Sequence, residues 1–254
     1  MKKALLTLLL LAALLTVSGV LAQDEDPIEI AYGDVVDGEI DDDLFEVNYI
    51  FEGAEDDIVM IEMFAEPGTY DLDSVVQLKD DDGDVLFEND SFFYPGSVIV
   101  AQLRRDGQYI ITATRYNGEE GSSEGPYMLR LTLVEPVQLG DTFETQIFSD
   151  YDTEETVLPE FGVLYLDSDV DATVRFEADE GDIFAAFRLV QIDPDAFSGY
   201  FTIADFSPGV PIYNMSFDVE LQDETLYVFY AYRAFGSYAF EADPVDVFIT
   251  IEER

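Results

Sequence analysis

Residues 107–133 read GQYIITATRYNGEEGSSEGPYMLRLTL. Two segments each open with Gly-x-Tyr, at Gly107/Tyr109 and at Gly125/Tyr127, and each then alternates apolar with other side chains. A period of two marks a strand with one buried face. The residues between them include Asn117, Gly118 and Gly121, all turn formers. The stretch reads as the closing hairpin of a β-sandwich.

The same period runs upstream. Ile28 to Tyr32 and Val35 to Ile40 read as short strands around Gly33-Asp34. Phe45, Val47, Tyr49 and Phe51 alternate, then Val59, Ile61 and Met63. Asp73 to Lys79 turns Val76 and Leu78 inward, Asp80 to Asp84 makes a tight hairpin into Val85 to Phe87, and Ser97 to Leu103 follows. That is about eight strands before Glu135, with Gly, Asp and Pro turns between them. Downstream, Leu139-Gly140-Asp141 echoes the first entry. Ala185/Phe187/Leu189 and Met215/Phe217/Val219 alternate, Thr225 to Tyr230 sits where the first Gly-x-Tyr strand would fall, and Val245 to Ile251 closes the chain. Both parities are apolar from Leu226 to Ala231, which reads as burial on both faces. The expected fold is all-β. Two tandem jelly-roll-like β-sandwich domains, 23–136 and 137–254, touch across a short linker near Glu135-Pro136-Val137. One larger sandwich is the alternative.

The N-terminus reads as a secretory signal, residues 1–22: Lys2 and Lys3, an apolar run from Ala4 to Val17, and cleavage after Ala22. The expected location is the medium or the cell envelope, with no membrane insertion after signal removal. The chain has 254 residues and a formal net charge of -45, yet 48% of it is hydrophobic, enough for real cores. Lys79 is the one lysine outside the signal, and acids are spread over both halves. Such a field repels nucleic acid and anionic lipid. Divalent cations, basic surfaces and neutral sugars remain as partners. There is no histidine and no cysteine, which removes Ser-His-Asp and Cys-His catalysis and histidine-ligated zinc. Stability must come without disulfides.

In order and spacing, several fragments resemble the bacterial pre-peptidase C-terminal (PPC) domain. They are Gly33, Tyr49/Phe51, Val59-x-Ile61-x-Met63, Asp73-x-x-Val76-x-Leu78-x-Asp80-x-x-Gly83, Gly107-x-Tyr109-x-Ile111 and Gly125-x-Tyr127-x-Leu129-x-Leu131. The resemblance covers residues 28–135, and 137–254 reads as a degenerate second copy without either Gly-x-Tyr. It implies a jelly-roll-like sandwich of the kind appended to secreted peptidases, with calcium bound in some members. No peptidase is present here.

Two sets of residues stand as candidate sites. Asp71, Asp73, Asp80, Asp82, Asp84 and Asp90 gather around one expected hairpin, and calcium takes 6–8 oxygen ligands. The spacing is not an EF-hand, since Leu78 stands where the first ligand should be, and the run also reads as a solvated turn. Calcium is the one cofactor candidate. Asp167, Asp169 and Asp171 would share a strand face. The aromatic loop Phe92, Phe93 and Tyr94 could stack on a sugar ring or a protein. Phe197, Tyr200 and Phe201 form a similar group that could instead fill the domain interface. Arg104-Arg105 reads as a structural ion pair. The functional expectation is an exported non-catalytic module that binds or spaces at the cell surface, its partner a protein or a polysaccharide. A carbohydrate- or matrix-binding module is the alternative, and an acid-pair hydrolase a third reading.

Overall fold

The computed structural model describes residues 26–65, 72–90, 96–147, 160–179, 185–193, 200–206, 213–233 and 244–254. The signal segment, Asp71, Phe92, Phe93, Tyr94 and Phe197 lie outside them. Nine strands come first: β1 (Ile28–Glu29), β2 (Val35–Ile40), β3 (Glu46–Gly53), β4 (Ile58–Ala65), β5 (Ser74–Lys79), β6 (Val85–Asn89), β7 (Gly96–Gln102), β8 (Gly107–Arg115) and β9 (Gly125–Leu133). Eight follow: β10 (Thr142–Ile147), β11 (Gly162–Leu166), β12 (Val170–Ala178), β13 (Ala185–Ile192), β14 (Tyr200–Phe206), β15 (Asn214–Leu221), β16 (Thr225–Arg233) and β17 (Val245–Glu253).

They form four sheets. Sheet I has the order β1-β3-β8-β5-β6 and sheet II the order β2-β9-β4-β7. Their inner faces enclose one core, with Tyr49, Phe51, Ile61, Tyr109, Ile111, Tyr127 and Leu129 buried in it. Sheet III is β11-β16-β13-β14 and sheet IV is β10-β17-β12-β15. Between them lies a second core around Val174, Phe176, Phe187, Tyr227, Phe229 and Ile249. This is the expected all-β tandem of sandwiches.

The second sandwich repeats the first strand for strand. Raising each strand number of sheet II by eight gives sheet IV, and sheet I without β1 becomes sheet III in the same way. The entry turns agree in detail. Gly33 has φ 93 and Gly140 φ 88, a backbone region open to glycine. Each donates its N–H to the strand that ends its sandwich, Gly33 to the Leu131 carbonyl and Gly140 to that of Ile251, both at 2.8 Å. Tyr109 and Tyr227 are also counterparts. The Tyr109 hydroxyl donates to the Arg105 carbonyl at 2.9 Å, and the Tyr227 hydroxyl accepts from the Gln222 N–H at 2.7 Å. The second half has lost the glycine of Gly-x-Tyr and kept that tyrosine.

The expected closing hairpin is not one. β8 lies inside sheet I between β3 and β5, whereas β9 lies inside sheet II between β2 and β4. The segment between them crosses from one sheet to the other. Its short 3₁₀ turn, Gly118–Glu120, follows Asn117 in the left-handed region at φ 63. A nearly buried Arg115 fixes the crossing, donating to the carbonyls of Gly118 at 2.9 Å and Ser123 at 3.2 Å and to Asp42 at 3.1 Å. Alternation is the same for paired strands and for strands facing each other across a core. Here the two tyrosines point into the core from opposite sheets.

The sandwiches are joined by a third apolar layer. Ile58, Met60 and Phe64 of β4 with Val98 and Val100 of β7 pack against Val163, Val190, Leu226, Val228 and Tyr230. The order of layers is therefore I, II, III, IV. Strands such as β4 and β16 serve two cores. Val59, Ile61 and Met63 face the first core while Ile58, Met60 and Phe64 face the junction. Tyr227 and Phe229 face the second core while Leu226, Val228 and Tyr230 face the junction. Each such side chain, fully buried, contributes about 1.5–3 kcal/mol. The connection is held down on both sides, Val134 donating to the Ile58 carbonyl at 2.8 Å and Val137 to that of Val163 at 2.7 Å.

Candidate functional site

The acidic hairpin is built by its own backbone. Asp80 donates its N–H to the Asp84 carbonyl and Gly83 donates to that of Asp80, both at 3.0 Å, with Gly83 at φ 86. The Asp80 Oδ1 accepts the N–H groups of Asp82 at 3.1 Å and Asp84 at 2.8 Å. Those bonds account for an aspartate at position 80 and a glycine at 83. The carboxylates of Asp80, Asp81 and Asp82 each offer an oxygen within 4.8 Å of the others. A cation is already among them: the Arg105 guanidinium contacts Asp81 and lies 3.4 Å from Asp80. The basic doublet thus supplies the ion pair expected of it.

The structure does not bring the five described aspartates of this group together. Asp80, Asp82 and Asp84 sit at the β5–β6 turn, while Asp73 precedes β5 and Asp90 follows β6 at the other end. Six residues of strand separate the two groups by about 20 Å. Burial pushes the Asp73 carboxyl above its ordinary value, and the charge of Asp90 adds to it. The ends of the aromatic loop, Asp90 and Gly96, belong to this second end, as does Arg115.

In the second sandwich, Asp167 and Asp169 occupy the turn before β12 and only Asp171 lies on the strand, so the three share no strand face. The turn needs Asp169 locally, since its Oδ1 accepts the Asp223 N–H at 3.0 Å. Asp171 stands 4.0 Å from Arg254. Asp169 and Asp171 open with Glu220 and Asp223 onto a shallow cleft of about 700 Å³. Tyr200 packs against the junction layer, as the interface reading of its group expects.

Sequence reasoning missed Glu62. It interrupts the apolar run of β4, is fully buried, and stands directly opposite Arg130 on β9. Arg130 donates Nε to one carboxylate oxygen at 2.5 Å and a terminal nitrogen to the other at 2.6 Å. Burial pushes Glu62 up against the opposing pull of Arg130. The signal that could have found it is the charge itself, a lone glutamate at a junction position in an eight-residue strand otherwise apolar.

The solvent faces of the two outermost sheets differ. Sheet I presents Glu46, Asn48, Glu52, Gln77, Lys79, Glu88 and Gln108 around the half-buried Ile50 and Ile110, with Asn48 accepting from the buried Thr112 at 2.6 Å. Sheet IV presents rows of acids broken by Arg175, Arg254 and one aromatic, Phe248.

No family model matches the chain, and no curated protein matches it. Solved structures do. The chain resembles the pre-peptidase C-terminal domain of a collagenase from Bacillus anthracis, at 14% identity over 42% of this chain and 96% of that one, with a TM-score of 0.37. It is also similar to the tandem CBM51 modules of a family 98 glycoside hydrolase from Streptococcus pneumoniae: 10% identity, 86% and 85% coverage, TM-score 0.27. The CBM22 tandem of Paenibacillus barcinonensis Xyn10C gives 14%, 81%, 83% and 0.23. No described helix is long and apolar enough to cross a membrane.

Proposed function

We propose that the chain is an exported, non-catalytic module of two sandwich domains, 23–136 and 137–254, that binds or spaces at the cell surface or outside the cell. The observation that carries this is the fused four-layer stack. Its inner sheet faces are committed to three apolar layers, which leaves the polar faces of sheets I and IV as its broad exposed surfaces. A body of this kind holds two faces at a fixed separation, as a spacer or a presenting scaffold must. The leader at residues 1–22 supports export. Arg105 on the acidic turn supports a hairpin held by an ion pair, with calcium as an added stabiliser of these turns.

Cell fractionation tests the reading. Expressed from the full sequence in a bacterial host, the protein is expected in the medium or the envelope with Gln23 as its first residue. Accumulation in the cytoplasm with the leader intact would overturn it.

A further inference from the structure

We propose that the solvent face of sheet IV docks a basic, extended polypeptide, and that Phe248 with the two glutamates beside it receives one cationic side chain. This rests on the reading of the chain as a binding module and names the partner's chemistry.

The internal repeat makes the face conspicuous. Leu131 and Ile251, which accept from the two entry glycines, fix the correspondence of sheets II and IV. On that register Ile58, Met60 and Phe64 of β4 become Asp171, Thr173 and Glu177 of β12. Val98 and Val100 of β7 become Ser216 and Asp218 of β15. The face that docks a second sandwich in sheet II has thus been rewritten as polar in sheet IV. Its charged positions 171, 175, 177, 218 and 220 are exposed. One large apolar residue is kept on β17, the half-buried Phe248, at the place of Met128.

Phe248 has Glu144 of β10 directly opposite on one side and Glu177 of β12 directly opposite on the other. Directly opposite side chains start about 4.5–5.5 Å apart. Neither glutamate side chain has a partner among the described residues. The two arginines of the face are engaged further along, Arg175 with Glu252 at 2.7 Å and Arg254 with Asp218 at 2.7 Å. What remains is an aromatic ring between two uncompensated carboxylates. A cation over the ring is attracted by its quadrupole and by both charges. Charge complementarity selects the occupant: in a chain of net charge -45, a second copy or an acidic surface would be repelled. A lysine- or arginine-bearing strand, with alternate side chains on the sheet, fits the rows of acids.

The test is fluorescence anisotropy of the mature chain with labelled decalysine at about 150 mM salt, where long-range attraction is screened beyond about 8 Å. Binding is expected. Glu144→Gln with Glu177→Gln should weaken it about tenfold, and Phe248→Thr about threefold, with melting temperatures unchanged. Glu29→Gln with Glu52→Gln, the same charge change on sheet I, should change it less than about twofold. Equal losses from the two pairs would mean attraction by net charge alone and would overturn the site. Displacement of decalysine by a neutral oligosaccharide such as cellohexaose would reassign it to a sugar. Absence of wild-type binding would overturn the proposal and leave the export result standing, since fractionation reads that separately.

Discussion

Glu62 is a charge buried where its neighbours along β4 are apolar, and Arg130 is what makes that tolerable. Removing one partner of such a pair strands the other. Arg130→Met should cost about 3–5 kcal/mol in urea unfolding, while Glu62→Met with Arg130→Met should recover most of that loss. A double variant as unstable as the single one would show that the pair itself stabilises the junction. No sequence pattern joins these two, since they lie 68 residues apart and meet only through the β4–β9 register. Tyr49 and Tyr127 bridge sheets I and II with their hydroxyls 2.8 Å apart, both buried. Burial pushes both phenols above their ordinary value. A raised value in the fold means that the stabilisation is complete below the unfolded value, about 10, and falls as pH rises beyond it. Melting temperature should therefore drop steeply above about pH 10. Tyr49→Phe should flatten that drop while costing about 1 kcal/mol at pH 7.

At the scale of elements, strand existence was written in the period-2 pattern, and strand pairing was not. Tyr109 and Tyr127 alternate as hairpin strands would, yet they belong to opposite sheets. The legible signal was the length of the connection, since hairpin loops run to about 2–5 residues. The Asp80–Asp84 hairpin, by contrast, carries its geometry in its residues and forms as read. The six aspartates were close in sequence, but β5 and β6 carry Asp73 and Asp90 to the far end. The double-faced burial of β16 was legible from Leu226 to Ala231. β4 has the same property from Ile58 to Phe64, where reading one parity alone hid the junction. Met60→Asp places a charge there without touching the first core. It should cost about 3 kcal/mol or more, whereas Ser216→Asp, on the solvent face of β15 and directly opposite Arg175, should cost under about 0.5 kcal/mol. Similar losses by denaturant unfolding would contradict the assignment of these faces.

For the whole molecule, a net charge of -45 on a compact body means self-repulsion, and the eleven basic residues cannot offset it locally. Monovalent salt should stabilise the fold, because the screening length falls from about 10 Å at 0.1 M to about 3 Å at 1 M. A gain of about 2 kcal/mol would raise Tm by about 4–8 °C in a chain of this size. A Tm that is flat or falls over that range would put surface ion pairs ahead of repulsion. The central claim is that the apolar layer between sheets II and III makes the two sandwiches one body. Differential scanning calorimetry of the mature chain tests it most directly. One unfolding peak is predicted, with the calorimetric enthalpy equal to the van't Hoff enthalpy. Two separable peaks, each with about half of the enthalpy, would contradict it.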